Sequence, residues 1–149
     1  MPGSLDVLVV KAHGSSFALP LASVLEVFRP LPTQMVSGAP VFVRGLARIR
    51  GRATVVVDLN RLLGSPDETQ AGRFVSLRMD RRSVALAVES ARELRTFDSS
   101  ALAVLPPLLG GGGEHFQALA SLDDGLLVVL SAAKLLPEGD WGQSAESGS

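Results

Sequence analysis

Short apolar runs rich in valine and leucine recur from one end of the chain to the other, each closed within a few residues by glycine, proline or a charged turn. Runs of that length suit β-strands, which need only about 5–6 residues, better than helices, which need about ten or more. Strands are expected at Val7–Ala12, Ser16–Leu19, Val24–Arg29, Ala53–Val57, Arg73–Met79, Ser83–Val88, Glu93–Phe97, Phe116–Leu122 and Leu126–Leu130. The turns support this reading. Gly14 in "KAHGSSF" supplies a positive φ, "MDRRS" joins two strands through charged residues, and Asp124-Gly125 in "LDDGLL" is a strong hairpin signal. Three hairpins are therefore expected.

Helix signals are few. "DLNRLLG", Asp58–Gly64, has an acidic starter and a glycine stop, and "SAAKLLP", Ser131–Pro137, begins with serine and ends at proline. Prolines at 30, 32 and 40 make an extended connector after the third strand, the four glycines of "LLGGGGEHF" favour an irregular loop, and the polar segment 137–149 reads as disordered. Many strands with helices only as punctuation predict a mostly β protein, a small barrel or a pair of barrels.

With 149 residues the chain has room for one domain or two small lobes with an apolar core. It has no cysteine, which removes disulfides and thiolate metal sites and points to a reducing compartment, the cytoplasm. No apolar run reaches the ~20 residues that span a bilayer, and the first residues lack the pattern of a secretory leader, so a soluble protein is expected. Net charge is only −1, but residues 1–52 carry six Lys/Arg against two Asp/Glu. The basic character is local.

Catalysis finds little footing. His13 and His115 sit far apart in turn-like settings, no serine lies in a nucleophile elbow, and Asp123-Asp124 fits a hairpin tip better than a general acid/base pair. No metal ligand set or cofactor loop is evident, so neither metal nor cofactor is expected. A small hydrolase would need a nucleophile that the sequence does not offer.

The densest charge lies in "VRGLARIRGRATVVVDL", Val43–Leu59, where Arg44, Arg48, Arg50 and Arg52 fall within nine residues. In an extended segment positions 48, 50 and 52 would share one face. A basic β-barrel binding single-stranded nucleic acid is the rival reading, but it calls for aromatic stacking partners, and the chain has no tyrosine and one tryptophan, near its end. Gly51 directly after Arg50 allows a bend that turns the Arg50 guanidinium out of line, toward a carboxylate on another element or on a partner.

The stretch "FALPLASVLEVFRPLPTQMVSGAPVFVRGLARIRGRATVVVDLNRLLG", Phe17–Gly64, resembles the CheW family of chemotaxis coupling proteins. The resemblance rests on six elements in order: Phe17, Val24–Val27, Ala39-Pro40-Val41-Phe42, Val43-Arg44-Gly45, Arg50-Gly51 and Val57-Asp58-Leu59. It continues less closely through "SVALAVESARELRTF" and "FQALASLDDGLLVVLSAAKLL", so that about residues 5–136 are covered. Arg48 departs from the family's usual asparagine, and Val55 from a common proline.

The resemblance implies two small five-stranded SH3-like barrels sharing an apolar core, with short helices, in one domain over residues 1–136. It implies a scaffold without catalytic activity, joining the regulatory domain of a CheA-type histidine kinase to the cytoplasmic tips of methyl-accepting chemoreceptors. Contact with the membrane would then be indirect, through receptors. By position, the resemblance implies partner binding at Val24, Glu26, Phe42, Gly45, Arg50 and Gly51. Added bulk at Gly45 is expected to cost binding before folding, Asp58 is expected to cap the short helix, and Arg50 is expected to anchor a carboxylate between molecules or between lobes. Arg44, Arg48 and Arg52 would tune the surface around it.

Overall fold

Hairpins build most of the molecule. In the computed structural model, which describes residues 3–79, 82–98, 100, 102–103, 116–122 and 125–131, β1 (Ser4–Ala12) reverses into β2 (Ser15–Pro20) through His13 and Gly14. Both turn residues lie in the left-handed region, at φ 53° and 80°. That two-residue type I′ geometry matches the right-handed twist of the strands it joins. β6 (Arg73–Leu77) and β7 (Val84–Val88) pair antiparallel, as do β10 (Phe116–Leu122) and β11 (Gly125–Leu130). The three hairpins expected from the sequence are present.

The remaining strands are β3 (Val24–Phe28), β4 (Val43–Ile49), β5 (Arg52–Asp58), β8 (Ser90–Asp98) and the two-residue β9 (Leu102–Ala103). One sheet runs β8-β1-β2-β11-β10-β9 and the other β3-β6-β7-β5-β4. The second has the five strands expected for each lobe; in the first, β9 makes a sixth. Both sheets curl. Laid flat, the outer strands of a six-stranded sheet stand about 24 Å apart. Yet β8 ends at Asp98 and β9 begins at Leu102, four Cα steps of about 3.8 Å away. In the five-stranded sheet the connector leaving β3 returns to β4, where Gln34 and Leu46 exchange backbone hydrogen bonds of 2.8 Å. Each sheet thus closes on itself, making the two lobes.

Alternation along the strands separates three apolar clusters. Val7, Val9, Ala18, Phe97, Leu127 and Val129 fill the first lobe, and Ala47, Ile49, Val56, Phe74, Ala85 and Ala87 fill the second. Between them lies the largest cluster, with Leu8, Val10, Leu19, Val55, Val57, Val75, Leu77, Val84, Leu86, Val88 and Leu130. The strand "VALAV", β7, shows the logic: all five residues are buried, valines and leucine toward the shared core and alanines into the narrower lobe interior. A strand buried on both faces reads as a continuous apolar run.

β4 was not among the expected strands, because Arg44, Gly45 and Arg48 interrupt its apolar pattern. The helix expected at Asp58–Gly64 is a single turn, α1 (Leu59–Leu62), capped by Asp58, whose carboxylate accepts from the Arg61 amide at 3.1 Å. The helix expected at Ser131–Pro137 lies, beyond Ser131, outside the described residues, as do the glycine-rich loop, His115, Asp123-Asp124 and the segment 137–149.

Candidate docking site

The arginine-rich hairpin explains itself from its turn. Ile49 and Arg52 form the last pair of β4 and β5, leaving Arg50 (φ 54°) and Gly51 (φ 76°) as the two central residues of a type I′ turn. Positions 48, 50 and 52 therefore do not share one face, contrary to the extended-strand expectation: the chain reverses between them. A glycine is suited to that φ, whereas arginine adopts it at a cost.

The bend carries the Arg50 guanidinium to β3. Its Nε donates to Glu26 Oε1 at 3.0 Å and its Nη2 donates to Glu26 Oε2, a two-pronged fork. Both groups belong to the curled five-stranded sheet, so the contact is within one lobe rather than between lobes or molecules. The Arg50 side chain is 75% exposed and that of Glu26 37%. Hydrogen bonding from Arg50 holds the Glu26 carboxyl below its ordinary value, against a smaller upward push from burial, and Glu26 in turn raises Arg50.

Arg44 does not tune the surface. Its Nη1 donates to Asp58 Oδ2 and to the Thr69 carbonyl, each at 2.8 Å. Asp58 is fully buried and accepts also from the Thr69 amide at 2.8 Å and the Thr69 hydroxyl at 2.9 Å. The cap is thus the hub that ties α1, β4 and the loop after α1 together. Sequence reasoning missed Thr69, an isolated threonine in a polar loop with no local signal.

Gly45 is buried, with φ 145°, and a Cβ there would stand 2.5 Å from the Gln34 carbonyl oxygen. The expected order of costs is therefore reversed: bulk at Gly45 strikes the connector backbone, and so the fold, first. Val24 and Phe42 are half-buried against the shared core, and the Phe42 carbonyl accepts from the Asp58 amide at 2.7 Å. Of the residues singled out from sequence, Glu26, Arg50 and Gly51 come together at the surface. Val24 and Phe42 pack against the shared core instead, and Gly45 against the connector at Gln34.

The chain segment that carries Glu26 is rich in exposed apolar side chains. Among the described residues, six of the seven exposed large hydrophobics, Leu21, Leu25, Val27, Leu31, Met35 and Val41, fall on β3, the turn before it and the connector after it. Met35 is 86% exposed and Val41 73%. Such concentration marks a contact surface rather than the scattered exposure of an ordinary exterior. Four of the six lie outside β3, in the turn before it and the connector after it, where no strand or helix period marks which side chains face outward.

Chemistry other than docking has little material. Among the described residues no three His, Asp or Glu side chains gather as metal ligands, and His13 lies against Asp67 at 3.6 Å. No helix among them is long and apolar enough to cross a membrane.

Comparison with known proteins decides the family: residues 6–140 match the model of the CheW-like domain. The chain belongs to the CheW-like family. Its structure superposes on that of the scaffolding protein TtCheW from Thermoanaerobacter tengcongensis with a TM-score of 0.81, at 19% identity, over 93% of this chain and 95% of that one. No curated protein matches it. The CheW-like fold is that of a non-catalytic scaffold, and the chain is an adaptor of that kind rather than an enzyme.

Proposed function

We propose that the chain couples the cytoplasmic tips of methyl-accepting chemoreceptors to the regulatory domain of a CheA-type histidine kinase. Family membership supports the class of partners, and one observation carries the surface: the exposed apolar strip of β3 and its connector, on the segment that carries Glu26. In this reading Glu26, Arg50 and Gly51 shape the contact face, while Val24, Phe42 and Gly45 hold the strand and connector that present it. No cofactor or metal takes part. The protein works in the cytoplasm and meets the membrane only through its receptors.

Adaptor physics suits two fused lobes. One rigid body can offer separate faces to a kinase domain and to a helical receptor tip, and a helix lays its apolar stripe into an apolar groove. Modest individual affinities suffice, because linked contacts in an assembly raise the effective concentration.

Calorimetric titration of the purified chain with a kinase regulatory domain, and separately with a receptor tip fragment, tests the proposal. Saturable binding to both is expected. Binding to neither at high concentration would leave the family assignment as a statement about fold. Single-stranded nucleic acid is the less favoured ligand, since the exposed strip is aliphatic and Phe28 and Phe42 are half-buried.

A further inference from the structure

Sulfur is scarce in this chain. It has no cysteine, and its three methionines are Met1, Met35 and Met79. Of the two among the described residues, Met79 is half-buried and packs against the shared core, whereas Met35 is 86% exposed, more than any other large hydrophobic described.

The backbone on both sides of Met35 is fixed. Gln34, one residue before it, exchanges two backbone hydrogen bonds of 2.8 Å with Leu46 of β4, and Val36, one residue after it, accepts from the Ala39 amide at 3.3 Å across a turn that holds Gly38 at φ 78°. Gly45 lets the Gln34 carbonyl press against β4, since a Cβ there would lie 2.5 Å from its oxygen. The connector thus presents the Met35 side chain to water from an anchored backbone. A large apolar side chain so exposed adds little to the fold, but an unbranched thioether with three rotatable bonds adapts readily to a surface that covers it.

The same sulfur is open to oxidation. With hydrogen peroxide, a sulfur lone pair attacks one peroxide oxygen and the O–O bond breaks; the departing hydroxide takes the proton from the newly bound oxygen and leaves as water. The sulfur is oxidised by two electrons to the sulfoxide, and the peroxide is reduced. The product is polar, so covering it without a hydrogen-bond donor costs free energy that the thioether did not cost.

We propose that Met35 is a reversible oxidation site, at which peroxide turns an apolar contact group of the free chain into a polar one and so weakens docking without disturbing the fold. Only the effect on docking rests on the adaptor reading; selective oxidation at Met35 does not. Met79 is the internal reference, because oxidation against the shared core would act on stability instead.

The full chain is treated with hydrogen peroxide, and Met35 and Met79 are followed by peptide mapping and mass spectrometry. Met35 is expected to be oxidised several-fold faster, with the circular dichroism melt unchanged at full Met35 conversion. Retention on a hydrophobic-interaction column, which needs no partner, should fall on oxidation of the parent and hold in Met35→Leu, which keeps Met1 and Met79. In calorimetry against a receptor tip fragment and a kinase regulatory domain, the oxidised parent should bind at least one of them about tenfold more weakly. Met35→Leu should bind equally before and after peroxide, Met35→Gln should bind weakly without it, and methionine sulfoxide reductases of both stereospecificities should restore the parent. Equal oxidation rates at the two positions, a melt that falls with Met35 conversion, a retention shift that persists in Met35→Leu, or an oxidised parent that binds both partners like the untreated chain would each overturn the proposal. The coupling role fails separately: if the untreated parent binds neither partner while oxidation stays selective and the retention shift depends on Met35, the coupling role falls and the oxidation site stands.

Discussion

Replacing Asp58 by alanine removes the buried hub of the lobe in one step. Its carboxylate accepts from Arg44 Nη1, the Arg61 amide, and the amide and hydroxyl of Thr69, at 2.8 to 3.1 Å, with no exposure to water. Loss of the helix cap alone costs about 1 kcal/mol. Unpaired buried donors cost about 1–3 kcal/mol each, and breaking a buried ion pair about 3–5 kcal/mol. These overlap, since Thr69 is in a loop that can move and Arg44 is half-buried and can turn toward water. A net loss of about 4 kcal/mol follows, a large part of the 5–15 kcal/mol typical of a domain. At about 2–4 °C per kcal/mol for a chain of this size, the melting temperature should fall by about 8–16 °C. Thermal and urea unfolding followed by circular dichroism measure it, and Asp58→Asn, which keeps the shape and two acceptor lone pairs, should lose less. A melting temperature for Asp58→Ala within about 3 °C of the parent would refute the view of Asp58 as a structural hub.

Gly45→Ala should destabilise the fold by about 2–3 kcal/mol, because of its strained φ and the clash with the Gln34 carbonyl, and should lower the urea midpoint before any partner is added. Arg50→Ala, at an exposed turn, should leave the thermal melt nearly unchanged while weakening partner binding in calorimetry. A large loss of stability would instead make the Glu26–Arg50 fork a fold element. The lowered Glu26 pKa sets the sign of the acid response: the fork contributes fully above the ordinary glutamate value, persists below 4.5, and is lost only as pH falls through the lowered folded value. An NMR titration of the Glu26 side-chain carboxyl should therefore show its midpoint below that of an unfolded control. Leu86→Ala, in the shared core, should cost about 2–5 kcal/mol and still give one unfolding transition, since the two lobes share one cluster. Two separated transitions would contradict the shared core.

The apolar runs carried most of the fold because strand burial is a local alternation that the sequence displays directly, as in "VALAV" and "ATVVVD". β4 escaped because its two exposed or half-buried arginines and Gly45 break that alternation; its place in the sheet depends on the distant connector residue Gln34, not on local pattern. At the site, the Arg50-Gly51 dipeptide signalled a bend, and the bend is there. Its target, Glu26, lies 24 residues away and is reached only because the sheet curls. Arg44 was read as surface charge, since nothing local announces that Asp58 and Thr69 will enclose it. Long-range closure decided the placing of β4, Arg44 and the Arg50 target, whereas the facing of Arg48 and Arg52 was decided by the local turn at Arg50-Gly51.

The central claim is that one chain holds two partners at once. Sedimentation velocity on an equimolar mixture of the chain, a kinase regulatory domain and a receptor tip fragment tests it most directly. The account predicts a boundary containing all three, lost when the chain is omitted. Two separate binary complexes that never combine, because the partners compete for one face, would contradict it.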